Sequence, residues 1–540
     1  MKKKSSITVK KSKDASFTLA TCAINDYASN GGGGNLYKRI AAAANFSQKM
    51  QDFKNNWVFA NNETNAKYWV FVNNGNDFVN GVDAFYFAGH GTGNGPFLGT
   101  KPDYTGPVGF EMKCPNYIWS GDKLKWMMLD CCLCLNDGTS TNTNPNWSNT
   151  IGLGRWDRAF NSLQGSLHGI FALRSIGWDV DGTGRHFVEN IYSRNYCNGY
   201  AWIDAVDWEQ YFGGITSQGV VPAVLTACQN NVDWYNESMK NPWVNPGACD
   251  PKSLTYSYTW LWKGNPIFKL LKANKMKMFE LKNNGLVVLK QVCKALNIKG
   301  TAKSTKESST IKNTNYTITV NNSTGLVYID KNLNENQPLP VTFPQGKLKQ
   351  KETKITLPNN KKAREIAANF INDLRFTGDG TPVFSSIEKL MRSVQNTKKN
   401  NAIELRVIFT RSIEGSPVFG SGSKIVVRIG NKGQLIGCAV DWPAVSESKK
   451  NTKTRTKEDV TQDLPSLIEL INNKMFPVNP ISSFLVEKTK MVHYGFAKPN
   501  GSREIVPAYI LSINGKRTNG ETIKMDLPVS AVENIGLLVN

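Results

Sequence analysis

The sequence predicts an α/β domain around a mostly parallel sheet, followed by an α+β module, and three observations carry this fold class. Short apolar runs such as AFYFA, WMMLD and GIFAL show none of the alternation of a half-exposed strand; they resemble strands buried on both faces and they alternate with segments of helical spacing. Beyond residue 272 the rhythm changes to helices followed by strands that alternate apolar and polar residues. The two parts also differ in composition: 13 of the 14 tryptophans and eight of the ten cysteines precede residue 276. Charge divides the other way, with 26 Lys+Arg against 21 Asp+Glu in residues 1–275, a net of +5, which leaves +17 of the chain's +22 for the remainder.

The 540 residues allow two to four domains at roughly 150 residues each. Hydrophobic residues at 40% and charged residues at 20% describe a globular chain and exclude wholesale disorder, a collagen and a small disulfide scaffold. No run approaches the ~20 apolar residues of a membrane helix, so no membrane span is expected. The start, MKKKSSITVKKSKD, is basic like a secretory leader, but Lys10, Lys11 and Lys13 interrupt the place of its apolar region. We expect a basic tail over 1–14 and a cytoplasmic protein. Reduced thiols fit that compartment, because Cys131, Cys132 and Cys134 lie too close in sequence for easy mutual pairing.

In chain order, the expected α/β domain spans 15–272. Leu36, Ile40, Phe46 and Met50 predict a helix over 36–53, after four glycines at 31–34. VDAFYFAGHG and LKWMMLDCC predict buried strands, the first ending in a glycine-rich turn and the second in thiols. SLHGIFALRS predicts a third strand, and HFVENIYSR and AWIDAVDWEQYF predict helices. Over 273–314 we expect a helix, GLVVLKQVCKAL, and a Lys/Ser/Thr-rich linker. The α+β module over 315–540 carries helices in KKAREIAANFINDL and TKEDVTQDLPSLIELINN and strands in TNYTITVNN, TGLVYIDKN, ELRVIFTRS, SKIVVRIG and QLIGCAVDW, a pattern of repeated helix-plus-hairpin units.

Open α/β sheets carry functional groups just beyond the carboxyl ends of their strands. Two strand ends here deliver His90 and Cys132, a base and a nucleophile if they meet. Gly91 leaves the backbone open, so its N–H and that of Cys132 are candidates for an oxyanion hole. These blocks resemble the caspase-like (clan CD) cysteine peptidases: FYFAGHG matches the strand ending in His-Gly, and WMMLDCC matches the strand ending in an acidic residue, a small residue and the nucleophile. The spacing of 42 residues (132 − 90) is near the roughly 50 of caspases. The resemblance covers 15–272 and implies a caspase-like sandwich and peptide-bond hydrolysis by a Cys132–His90 dyad without a cofactor. It also implies a pocket, lined by Asp130, for a Lys or Arg side chain before the scissile bond. The Lys-rich segment 299–312 would then be open to self-cleavage. The continuation Leu133-Cys134-Leu135 departs from the family pattern, and the alternative on the same scaffold is a catalytically inactive binding or toxin-type protein. Cys131 and Cys134 compete with Cys132 as nucleophile, and small buried thiols at a strand end are the plain structural reading of all three.

His168 precedes its apolar run instead of ending it and is read as a core histidine; His186 and His493 receive no role. Asp179 and Asp181 start an EF-hand-like stretch, a weak calcium candidate, since Asn190 stands where a bidentate Glu belongs. In the second module, GSPVFGSGSKIVVRIGNKGQLIGCAVDW and REIVPAYILSI resemble PepSY-like propeptide-type domains, which implies a regulatory or substrate-binding module. The net +17 permits nucleic-acid binding, but the lysines are scattered without stacking aromatics, and the expected partner is a peptide or protein substrate.

Overall fold

The computed structural model describes residues 17–27, 35–53, 57–63, 79, 81–93, 95–99, 110–111, 123–139, 144–148, 152–162, 166–210, 220–229, 232–233, 235, 237–240, 255–263, 276–283, 285–306, 308–331, 355–374, 380–395, 400–448, 453–475, 480–497, 502–518, 520 and 522–532. The tail 1–14 and the glycines 31–34 lie outside them.

The first part contains β1 (Phe17–Ala23), α1 (Arg39–Asp52), β2 (Trp57–Glu63), β3 (Ala84–Ala88), β4 (His90–Thr92), β5 (Gly95–Gly99), β6 (Phe110–Glu111) and β7 (Trp126–Asp130). It continues with α2 (Asp157–Ser162), β8 (Gly169–Leu173), α3 (Thr183–Tyr192), α4 (Asn198–Glu209), β9 (Pro222–Gln229), β10 (Val232–Asp233) and β11 (Thr255–Trp262). Strands β2, β1, β3, β7 and β8 lie side by side and parallel. Their side chains alternate between two apolar layers, as period-two geometry requires. Tyr86, Trp126 and Met128 face one layer with Phe46 of α1, Phe187 of α3 and Trp202 of α4. Phe85, Phe87, Met127 and Leu129 face the other with Trp156 and Phe160. Two covered faces explain the unbroken apolar runs of β3, β7 and β8.

The second part contains β12 (Phe279–Lys282), α5 (Gly285–Ala295), β13 (Lys303–Ser304), β14 (Ser308–Lys312), β15 (Tyr316–Asn321), β16 (Val327–Lys331), α6 (Asn360–Leu374), β17 (Thr381–Val394), β18 (Asn400–Ile413), β19 (Ser416–Gly420) and β20 (Lys424–Ile429). Then follow β21 (Leu435–Asp441), β22 (Ala444–Glu447), α7 (Lys457–Gln462), α8 (Leu464–Met475), β23 (Ile481–Ala497), β24 (Arg503–Arg517) and β25 (Thr522–Ser530). Helices α5, α6 and α8 are each followed by antiparallel strands: β14–β16, β17–β18 with β20–β21, and β23–β25. Helices α5 and α6 share one apolar cluster with strands β14–β16, β18, β20 and β21, including Val288, Phe370, Val407 and Val427.

No loop separates the two parts as a sheet. Antiparallel β9 joins β8 to β11, and β11 pairs with β17 over Ser257–Trp262, so hydrogen bonding passes without a break from the parallel strands into the second part. The segment expected as a linker also departs from expectation, because 303–304 and 308–312 form a hairpin whose second strand pairs with β15. Its composition suggested a linker, but Ser309 and Ile311 point inward at period two, and a serine with a partner tolerates such a site. The structure is thus mixed α/β, rich in strands, with one large mixed sheet. Among the described residues no helix is long and apolar enough to cross a membrane.

Candidate active site

The register of β3 on β7 sets the site. Ala88 stands opposite Asp130, so His90 and Cys132, each two residues further on, leave the sheet side by side at the carboxyl ends of adjacent parallel strands. The Gly89 N–H donates to the Asp130 carbonyl oxygen at 3.3 Å and ties the two exits together. Gly91 completes the approach: a Cβ there would lie 2.3 Å from the Cys132 carbonyl oxygen and 3.0 Å from its nitrogen, so only glycine lets the two backbones meet. His90 and Cys132 line one narrow, nearly filled cavity together with Arg39, Asp130, Trp178 and Asp179.

Each group is held from a different element. Tyr27, just past β1, accepts the His90 N–H on its hydroxyl at 2.7 Å and donates to the Phe97 carbonyl at 3.0 Å, while its ring lies 4.4 Å from the imidazole. Cys132 Sγ accepts the Gly177 N–H at 3.2 Å, from the loop after β8. The thiol is 9% exposed and its pKa is pushed up to about 11 by burial, against the opposing pull of the Gly177 N–H and the Arg39 charge. Arg39, the first residue of α1, is buried and bonds to Asp179 Oδ1 at 2.9 Å, to Asp130 Oδ1 at 3.3 Å, to the Trp178 carbonyl at 3.0 Å and to the Val180 carbonyl. Burial works against its charge, but Asp130 and Asp179 outweigh that and raise its pKa.

Asp130 lines the cavity as expected, yet its carboxylate is already engaged. Tyr86 Oη donates to Oδ2 at 2.9 Å, and Arg39 and Gln210 Nε2 approach Oδ1 at 3.3 and 3.4 Å. Burial raises its pKa, with Arg39 and Tyr86 pulling the other way. It lines the cavity as a member of a buried group with Arg39 and Asp179, whose formal charges sum to −1.

Asp179, half of the weak calcium candidate, is engaged by donors. The Asp179 carboxylate accepts the Tyr37 N–H at 2.7 Å, the Lys38 N–H at 3.3 Å and the Arg39 Nε–H, so donors fill the positions that a cation would need. It anchors the two residues that lead into α1 and the side chain of the helix's first residue. Asp181 gives its carbonyl oxygen to Asn45, and no cluster of three metal-ligating side chains occurs among the described residues.

His168 is a core histidine: its Nδ1 lies 2.8 Å from Glu237 Oε2, which also takes the Trp126 indole N–H. His186 bridges Glu209 and Tyr328, and His493 reaches the Lys277 carbonyl from within the second part. None of them joins the cavity. All three clustered cysteines are free thiols, and Cys131 and Cys134 are in contact at 2.9 Å. Tyr27, Arg39 and Gly177 escaped the sequence reading. One signal for Gly177 was present, since it follows the third apolar strand by a few residues, as His90 and Cys132 follow theirs.

No curated protein matches the chain. Among solved structures, an uncharacterized protein from Eubacterium rectale ATCC 33656 is similar to it at 12% identity, with a TM-score of 0.31 over 48% of this chain and 85% of that one. Residues 22–264, which include Tyr27, Arg39, His90, Cys132, Gly177 and Asp179, match the family described as a domain of unknown function, DUF6345.

Proposed function

We propose that the chain is a caspase-like cysteine peptidase in which Cys132 is the nucleophile and His90 the acid–base. The observation that carries this reading is the β3–β7 register, which brings both residues out of adjacent strands into one cavity. Cys132 Sγ would pass its proton to His90 and attack the scissile carbonyl, and His90 would then protonate the leaving amine. The N–H groups of Gly91 and Cys132 would hold the oxyanion, a role supported by how closely the Gly91 backbone approaches that of Cys132. With burial pushing its pKa up to about 11, Cys132 rests as the thiol, so the thiolate would form only as substrate arrives.

The excess negative charge of Asp130 and Asp179 over Arg39 favours a Lys or Arg side chain before the scissile bond. For the second part we propose a PepSY-like regulatory or substrate-binding role. Its support is contact with the site: Ile176 and Trp178, on the loop that holds Cys132, pack against the apolar cluster of α8, β24 and β25.

The test uses the full chain with peptides bearing Lys, Arg, Asn or Asp before the scissile bond, beside Cys132→Ala and His90→Ala, read by mass spectrometry. Cleavage after Lys or Arg that disappears in both variants is the expected result. Cleavage that survives Cys132→Ala, or silence from folded wild-type protein at every peptide, overturns it.

A further inference from the structure

We propose that Cys131 and Cys134 form a reversible disulfide beside Cys132, which gives the loop bearing the candidate nucleophile a dithiol and an oxidised state. Their sulfurs stand 2.9 Å apart, so closing to the ~2.05 Å of a disulfide needs a movement of only about 0.9 Å. Leu133 makes the pairing possible. Its φ of +60° reverses the chain between the two residues, and a leucine rarely adopts that conformation without support. The support is present: the Leu133 N–H donates to the Ser175 carbonyl at 2.9 Å, the Leu135 N–H to the Leu173 carbonyl at 2.9 Å, and Arg155 and Trp156 both donate to the Cys134 carbonyl. These bonds fix the turn without using a thiol, so the sulfurs can join while the turn stays in place.

Cys132 stays outside the pair. Its Sγ is turned to Gly177, which both donates to it and accepts from it. Cys131 also lines the cavity, so it is the member of the pair that a small oxidant would reach first. With a low-molecular-weight disulfide as oxidant, the Cys131 thiolate attacks one of its sulfurs and expels the first small thiolate. Cys134 then attacks the Cys131 sulfur of the mixed disulfide and expels the second. Two electrons pass from the protein thiols to the small disulfide, and the two thiol protons end on the two released thiols. Burial holds the Cys131 thiol protonated, so the exchange is slow and is best measured at equilibrium.

The functional consequence, control of Cys132, rests on the peptidase reading, whereas the disulfide does not. The full chain is equilibrated in glutathione buffers from reducing to oxidising, quenched in acid, unfolded, alkylated with iodoacetamide and digested with trypsin. Residues 126–155 form one tryptic peptide whose cysteines are Cys131, Cys132 and Cys134. We expect three alkylations in reducing buffer and one, on Cys132, in oxidising buffer, with the loss of two hydrogens from the peptide. Cys132→Ser should keep the disulfide, and Cys134→Ser should replace it with a Cys131–glutathione adduct. Three alkylations across the whole series, or a disulfide that contains Cys132, would overturn the proposal. Because the readout is mass, a failure of peptidase activity leaves it intact, and loss of the disulfide leaves the peptidase test untouched.

Discussion

Gly91 is where a single atom decides the site. A methyl group there would press to 2.3 Å from the Cys132 carbonyl oxygen, which is backbone and cannot rotate away. Gly91→Ala should therefore displace the Cys132 loop, cost about 1–3 kcal/mol as overpacking and abolish cleavage. Urea unfolding and peptide turnover check the two effects, and unchanged turnover would show that the close approach is dispensable. Tyr27 acts more gently on the other partner. Tyr27→Phe removes a 2.7 Å buried bond from the His90 N–H, at about 1–3 kcal/mol in urea unfolding. The contrast between these residues shows what the sequence revealed. His90, Gly91 and Cys132 were legible because each follows an apolar strand in a short, ordered pattern. Tyr27, Arg39 and Gly177 were hidden because they come from different strand ends and a helix start, and only the sheet order brings them to the same cavity.

Elements were legible where one period dominated. The parallel strands β3, β7 and β8 could be read from their unbroken apolar runs, and α3 and α4 from helical spacing. Compositional cues misled at β14, where serine and threonine suggested a linker while the period-two positions of Ser309 and Ile311 were already those of a strand. The expected single helix in TKEDVTQDLPSLIELINN splits into α7 and α8 because Pro465 lacks an N–H and fits only a first turn. Within this C-terminal unit, β23 carries a pH-sensitive group that no pattern showed. His493 is buried, and desolvation lowers its pKa from 6.5 to about 4, only partly offset by the Lys277 carbonyl. Here the folded state resists a proton that the unfolded chain accepts, so stability falls as pH drops below 6.5 and the loss is complete near pH 4. A shift of this size corresponds to about 3 kcal/mol. His493→Gln should flatten that part of the stability curve relative to wild type in urea unfolding at pH 4, 5 and 7. Parallel curves for the two proteins would remove His493 from the account.

At the scale of the whole molecule, two compositions suggested two modules, and the structure fuses them. The β11–β17 pairing carries the sheet across the boundary, and a buried ion network spans the same seam. Asp207 of α4 holds Lys263, Arg406 of β18 at 3.1 Å and Lys424 of β20 at 3.5 Å; Arg194 bonds Asp204 at 2.7 Å and Asp330 of β16 at 3.1 Å; Arg428 joins Asp330 at 2.6 Å. The sequence could not show this, because the partners lie up to 217 residues apart and each reads as an ordinary surface charge. Burial raises the Asp207 pKa, but Lys263, Lys424 and Arg406 more than reverse that and hold it well below the carboxylate range. Removing the carboxylate takes the shared anion from three cations in a dry seam and leaves Lys263 to Glu388 and Arg406 to Glu404, which makes the loss far larger than that of an exposed pair. Asp207→Ala should destabilise the full chain by about 3–5 kcal/mol, the usual cost of breaking a buried pair from one side. The same logic governs truncation. A chain that ends at residue 275 exposes the β11 edge, takes Arg406 and Lys424 from Asp207 and takes Asp330 from Arg194, and should aggregate instead of folding. Size-exclusion chromatography and circular dichroism of residues 15–275 provide the check. A soluble, folded monomer would show that the first part stands without the seam, and would make it the simplest protein in which to test Cys132 free of the second part.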